Sequence, residues 1–569
     1  MTSQTGYPSI DKPWLKFYSE EAKNSKQPYC TIYEYLYENN KNNLSNYALN
    51  YFNHKITYRE LFENIDLIAI ALHNYGVKSR DVVSIITVSS VASVLLFYAL
   101  NKIGAVSNFI NVMSNQKDLA EYLNDADSEL VVTLDLFANN VVAAAKQSKV
   151  NRVIVYSLEE WMPNLTAHMY RFKTRNIDKS YLKENIVLTW NEFIKSSVQN
   201  TQINYSKNPK SVCFYGHTGG TTGFPKTVLL NDNSFNSVAW QYIQSFPHQR
   251  GEVFLSVIVP FVVYGSMINI HMPLCLGLEV VIIPKFDSNI WYRYYKKYHP
   301  NHICAIPAYI SAMCDDKKLS KMNLSKIKTV GMGGEGMNVP LEEKINTFLN
   351  CRDSKAKVMK GYGMTEVCAT AASEMVNAQK TGSVGVPFIH NNVMIFDNEK
   401  NRELTYGETG EICLQCESMM IDYKDNQEET NKLVKIHPDG SKWIHTGDLG
   451  YIDEDGFLFV EGRMKRMIMT LNNGLVYKIF PAQTEEVLNK HPSIRESCVV
   501  CMHKDKNIVL KAVIVLEDAK EVDHRNLISE LNTLCNETLS SFQIPEKYVF
   551  VDYLPRTDAG KVDYRKLEE

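Results

Sequence analysis

The run "TGGTTGFPKT", Thr218 to Thr227, gathers glycines, hydroxyls and one lysine, the side chains that suit phosphate. It misses the phosphate-binding pattern G-x-x-x-x-G-K-[ST] by one residue, because Pro225 stands where the second glycine belongs. That pattern works by aiming successive backbone N–H groups at phosphate where a helix opens. Proline has no N–H and fixes φ at about −65°, so Pro225 removes a donor the nest needs. The following "TVLLNDNSF" reads as a strand and a turn, not a helix. A P-loop is thereby excluded. A Gly/Thr loop able to close over phosphates remains.

Five further segments carry chemistry. "GMGGEGM" (Gly331–Met337) is a glycine-rich turn, and "KGYGMTE" (Lys360–Glu366) ends in a hydroxyl and a carboxylate. "GETGEI" spans Gly407–Ile412, and "IHTGDLGYIDEDGFLFVEGRMKRMI" (Ile444–Ile468) holds Asp448, Arg463 and Lys465. "LPRTDAGKVDYRKL" (Leu554–Leu567) holds Lys561. Singly, each has a bland reading. Thr365-Glu366 could cap a helix and place an acid in its first turn. Asp448 could cap a turn, and Lys561 could sit on an exposed hairpin.

Taken in order, the six segments resemble the signature motifs of the adenylate-forming superfamily. That superfamily includes acyl-CoA synthetases, peptide-synthetase adenylation domains and firefly luciferase. The resemblance implies a two-step reaction. A carboxylate is a poor acyl donor, and joining it to AMP gives it a good leaving group. The displacement at the α-phosphorus relies on positioning and charge neutralisation. In such an enzyme Thr218, Gly219, Gly220, Thr221, Thr222, Gly223 and Lys226 would clamp the outgoing phosphates. Gly334, Glu335, Gly336 and Tyr362 would flank adenine, with Gly363 and Met364 in the same motif. Thr365 would bond the α-phosphate, and Glu366 would hold Mg²⁺, a hard cation suited to oxygen ligands. Asp448 and Arg463 would bind the ribose. Lys561 would reach both the substrate carboxylate and the α-phosphate. Lys465 would be the hinge about which a C-terminal domain turns to admit the thiol.

Three places depart from the pattern. The glycine usual after the loop lysine is Thr227. Where relatives often carry an aromatic-His pair, this chain reads "VPFVVYG", so Val262, Val263, Tyr264 and Gly265 would make an apolar wall for the acyl group. The segment after the hinge, "MTLNNGLVYKIFPAQTEE", lacks the usual double glycine, which bears on the acceptor. The expected activity is ATP-dependent activation of a carboxylic acid, leaning aliphatic, followed by transfer to coenzyme A. A phosphopantetheinyl carrier protein is the alternative acceptor. A non-catalytic nucleotide-binding protein is the reading from a different class. No acidic residue early in "PFVVYGSM" offers a partner for an amino acid's ammonium.

These residues need a scaffold. The chain has 569 residues, too many for one core, with a net charge of −3 that advertises neither nucleic acid nor an anionic surface. The N-terminal residues lack the charged-then-apolar pattern of a signal peptide, and "DVVSIITVSSVASVLLFYALNKIGAV" reads as a strand (Val82–Thr87) and a buried helix rather than a membrane span. A cytoplasmic enzyme is expected, with peripheral membrane contact left open. The twelve cysteines form no disulfide framework. The pairs Cys413/Cys416 and Cys498/Cys501 lie in strand-like runs, where i and i+3 face opposite ways, which disfavours zinc.

"TYRELFENIDLIAIALHNYGV" (Thr57–Val77) has helical periodicity, and "ELVVTLD", "NRVIVYS", "EVVIIP" and "IKTVGMGG" read as short strands. Strand-helix alternation predicts a mostly parallel α/β fold. The expected organisation is an N-terminal domain over 1–464, with a small β-rich subdomain at about 381–463. A mobile C-terminal α+β domain would cover 465–569.

Overall fold

A computed structural model describes residues 5–198, 208–218, 225–466, 468–472, 475–504, 507–517, 523–557 and 561–568. Among these, two large sheets dominate. One is seven-stranded, with Val82–Ile86 near its centre, and its strands run parallel except for the final pair, Val212–His217 with Thr227–Asn231. The other is nine-stranded. Its strands from Val358–Tyr362 across to Tyr47–Tyr51 are parallel, and both edges are antiparallel. The β-branched runs picked from sequence are interior strands of these sheets: Leu130–Leu134, Arg152–Tyr156, Glu279–Ile282 and Thr329–Met332.

The expected helix is Tyr58–Asn74. Thr57 starts it by accepting from the Glu60 N–H, while the Glu60 carboxylate accepts from the Thr57 N–H at 2.7 Å. The most apolar stretch folds as strand Val82–Ile86 and helix Val91–Lys102, which is buried on nearly every side. Its all-round apolarity reflects burial within one core that contains side chains of both large sheets. Among the described residues, no helix is long and apolar enough to cross a membrane.

One expectation is corrected. "NDNSF" is not a turn after the strand but the start of helix Asp232–Ser245. Asn231 caps it by accepting from the Ser234 N–H at 2.9 Å. The helix buries polar faces as well as apolar ones, so its sequence lacks the usual hydrophobic period.

Past the parallel sheets the texture changes as expected. Six strands between Asn392 and Arg463 form an antiparallel sheet. Beyond it, a three-stranded sheet of Ile494–Lys504, Asn507–Leu516 and Lys547–Val551 packs with helices Pro481–Leu488 and His524–Thr538. That unit has its own core around Ile514, Leu527 and Leu531.

Candidate active site

Tyr362 ends a parallel strand on its carboxyl side, where open α/β sheets hold ligands. Its hydroxyl donates to Asp448 Oδ2 at 2.8 Å, and Arg463 Nε lies 2.7 Å from Asp448 Oδ1. Asp448 and Arg463 face each other across neighbouring antiparallel strands. Burial raises the pKa of Asp448, and the Arg463 charge opposes that shift. The carboxylate is thus fixed from two sides.

The strand segment carrying Asp448 is held by Glu411, His445 and Thr446. Glu411 accepts from the Gly447 N–H at 3.0 Å, and its other oxygen lies 2.8 Å from His445 Nδ1. Thr446 donates to the Ile412 carbonyl and accepts from the Asp448 N–H. Cys413 Sγ sits 3.4 Å from the same His445 nitrogen. Glu411, Cys413 and His445 therefore form a buried trio whose candidate ligand atoms lie within 4.8 Å of one another. Cys416 does not join it and accepts from the Ser418 hydroxyl.

Thr365 and Glu366 open a single 3-10 turn after Tyr362. Glu366 is buried and accepts from the Tyr423 hydroxyl at 2.5 Å. The approach is tight: a Cβ at Gly363 would stand 2.1 Å from the Ala369 carbonyl, so only glycine fits. The backbone of Thr218 and Lys226 closes the base of the Gly/Thr loop, N–H to carbonyl at 3.0 Å. Gly219, Gly220, Thr221, Thr222 and Gly223 lie outside the described residues. Lys226 pairs with Glu429 and rests over the Tyr423 ring. The bond from Lys226, helped by Lys432, drives the Glu429 pKa down to about 2. Thr227, the unusual residue, is buried and donates to Asp125 at 3.0 Å, with His217 Nδ1 3.3 Å away. A glycine there would leave that acid and histidine without the hydroxyl.

Gly334 takes φ +87°, which favours glycine, whereas a Cβ at Gly336 would meet nothing. Burial raises the pKa of Glu335 between them, offset by Arg556 and Lys561. Lys561 is solvent-exposed on the C-terminal unit, at the cleft between that unit and the rest of the chain. Desolvation lowers its pKa, Arg463 adds to this, and Glu335, Asp448 and Glu366 pull the other way. The lysine thus feels the charges of Glu335, Asp448 and Glu366 together. Two ion pairs also cross the cleft: Lys344–Glu517 at 2.9 Å and Arg556–Glu335 at 3.5 Å. Lys465 is exposed in the short turn Met464–Arg466 that leads into the C-terminal unit.

Next to this cleft lies a narrow pocket bordered by Tyr242, Phe246, Tyr264, Met332 and Met359. Its floor is glycine: Gly331 and Gly333 on one strand end, Gly361 and Gly363 on the next. Of the four residues expected to wall the acyl group, Tyr264 borders this cavity; Val262, Val263 and Gly265 do not. Val263 is instead buried where a Cβ on Gly216 would strike it, and Gly265 packs on the Val259 carbonyl. A Cβ at Gly331, Gly333 or Gly363 would press on Cys304, Tyr264 or Ala369, so these glycines let neighbouring chain approach closely.

A C-terminal strand-end site, a hydroxyl–acid–guanidinium cluster and a lysine supplied by a second unit define a nucleotide-handling ligase fold. The family model for AMP-binding enzymes matches residues 36–424, and that for the AMP-binding enzyme C-terminal domain matches 483–561. The chain belongs to the AMP-binding enzyme family and is an AMP-forming acid–thiol ligase by class. A long-chain-fatty-acid–CoA ligase of Bacillus subtilis is 25% identical over 568 residues, covering 98% of each chain. The benzoate CoA ligase structure from Burkholderia xenovorans superposes with TM-score 0.79 at 19% identity, over 95% of this chain and 100% of that one. ATP-bound MatB from Rhodopseudomonas palustris gives 0.79 at 20% identity, over 95% and 98%.

Proposed function

We propose that the enzyme joins an apolar carboxylic acid to AMP, releases pyrophosphate, and passes the acyl group to coenzyme A. The observation that carries this is Lys561, which reaches the cleft from the C-terminal unit and feels Glu335, Asp448, Glu366 and Arg463 at once. In this reading 1–464 is the adenylating domain, with 381–463 its β-rich part, and 465–569 turns about Lys465. Asp448 and Arg463 bind the ribose, and Tyr362 with Gly334, Glu335, Gly336, Gly363 and Met364 frames adenine. A carboxylate oxygen attacks the α-phosphorus, the bond to the β-phosphate oxygen breaks, and pyrophosphate leaves with that electron pair. Lys561 and Thr365 meet charge at the α-phosphate. Thr218, Lys226 and the loop between them hold the leaving group, for which Lys226 must leave Glu429. Glu366, a buried hard oxygen donor, fits Mg²⁺, which when bound neutralises phosphate charge. The thiol of coenzyme A then attacks the acyl carbon and AMP departs.

The cavity's apolar border supports an apolar acid. The fatty-acid relative favours an aliphatic chain. The rings of Tyr242, Phe246 and Tyr264 give an aromatic acid a specific second claim. A carrier protein remains the alternative acceptor. The free state of all twelve cysteines supports a cytoplasmic setting. The test is carboxylate-dependent ATP–pyrophosphate exchange across aliphatic, aromatic and amino acids, followed by thioester detection with coenzyme A or a carrier. Exchange with none of these acids would overturn the reading.

A further inference from the structure

Between strands Arg152–Tyr156 and Val187–Thr189, at the outer edge of the seven-stranded sheet, the chain forms the helix Asn164–Thr174. Its inner side is conventional: Ala167 is buried and Tyr170 packs on the main core. Its outer side is not. Leu165, Met169 and Phe172 are 75%, 58% and 66% exposed. At 3.6 residues per turn they fall within an arc of about 60° pointing away from the protein. Three large apolar side chains in one stripe on a solvent-facing helix are unlike the single exposed residues any surface carries.

Charge says what the stripe faces. On the helical projection Lys173 and Arg175 lie about 80° to either side of Leu165, so cations flank the apolar arc on both edges. The Arg175 guanidinium lies 4.3 Å over the Phe172 ring, which draws it to the apolar boundary. The next residues add Lys179 and Lys183 beside Leu182, itself 50% exposed. Residues 164–183 hold five Lys/Arg against one acid, Asp178, in a chain whose net charge is −3. Of the five, Arg171 is engaged by Glu159. An apolar stripe edged by cations on a short surface helix is the pattern of an interfacial helix lying among lipid headgroups. We propose that the helix Asn164–Thr174 docks this enzyme on an anionic lipid surface, with Leu165, Met169 and Phe172 entering the headgroup layer. The basic residues pair with lipid phosphates. The docking face is separate from the residues of the cleft and does not depend on which acid is activated.

The test uses the full chain and vesicles of phosphatidylcholine alone or mixed equally with phosphatidylglycerol. Sedimentation should show the enzyme on the mixed vesicles, at least tenfold less on the neutral ones, and release as salt rises. Leu165→Ser/Met169→Ser/Phe172→Ser should lose at least tenfold of that binding with unchanged melting temperature. Lys173→Gln/Arg175→Gln should lose the preference for phosphatidylglycerol. Phe172→Trp, a reporter in otherwise intact protein, should shift its emission to the blue on mixed vesicles alone. Equal binding of wild type and the triple variant overturns the proposal. So does a tryptophan emission that ignores vesicles, or a stripe whose removal changes only self-association or capture of a protein partner.

Discussion

Asp448→Ala probes the centre of the site. The carboxylate accepts from the Tyr362 hydroxyl at 2.8 Å and pairs with Arg463 at 2.7 Å, and it is almost wholly buried. In the proposed function it also accepts from the ribose. Losing a charged acceptor for those hydroxyls costs about 1–3 kcal/mol, equivalent to roughly 5- to 150-fold in ATP affinity. The same change strands the Tyr362 hydroxyl, worth about 1–3 kcal/mol of folding stability. Arg463 adds no more than about 1 kcal/mol, because it is half exposed and water screens it. Exchange kinetics separate the two effects. The KM for ATP should rise while that for the acid holds, and Tyr362→Phe should reproduce the stability loss without most of the affinity loss. In a double-mutant cycle the stability effects should be less than additive, since both changes break one hydrogen bond. Lowered melting with unchanged ATP dependence would refute a ribose role and leave Asp448 a structural residue.

Lys561→Ala should abolish carboxylate-dependent exchange yet still form thioester from a supplied acyl-adenylate; undiminished exchange would remove Lys561 from the first step. Glu429→Gln frees Lys226 from a partly exposed pair worth about 0.2–1 kcal/mol, so the KM for ATP should fall by up to roughly fivefold, and a rise would show that the pair serves the clamp. Gly331→Ala puts a Cβ 2.6 Å from Cys304 Sγ, at the cavity floor. Selectivity should move toward smaller acids by about tenfold, as a methylene-sized change weighs, and an unaltered acid profile would place the acyl group elsewhere. Burial lowers the pKa of His217 to about 4, His271 to about 3 and His302 to about 4, from an ordinary 6.5. The unfolded chain therefore takes up three protons as pH falls below 6.5 that the folded chain refuses, and stability is lost toward pH 4. Glu374, raised to about 7 by burial, opposes this: its contribution is full below 4.5 and fades as pH rises through 7. The three histidines outnumber Glu374, so stability should fall as pH drops from 6.5 toward 4.5, and denaturant melts showing it level or rising on acidification would contradict this.

Motif residues were legible because their chemistry is local. A proline in a would-be phosphate nest is decisive wherever it falls, and strand ends could be placed from β-branched runs closed by glycine. The helical period of Thr57–Val77 announced the helix Tyr58–Asn74, whereas the helix after Asn231 buries polar groups and shows no clear period. The pocket was legible only in part. Val262 and Val263 look like a wall in sequence, yet which side of a turn meets a cavity depends on what packs behind it, here Gly216 for Val263.

Tertiary structure alone decided the long-range pairings. Lys226 with Glu429, Glu366 with Tyr423 and Thr227 with Asp125 join residues separated by 203, 57 and 102 positions. No spacing rule reaches that far, because such distances are set by how sheets stack, not by the repeat of one strand or helix. The residue types and the order of the six segments can be read along the chain. Folding determined that Asp448, Glu366, Glu335 and Lys561 share one cleft, and that the buried hydroxyl of Thr227 answers to an acid and a histidine. Which charges meet is set by how the two units pack, and no local repeat in the chain encodes that.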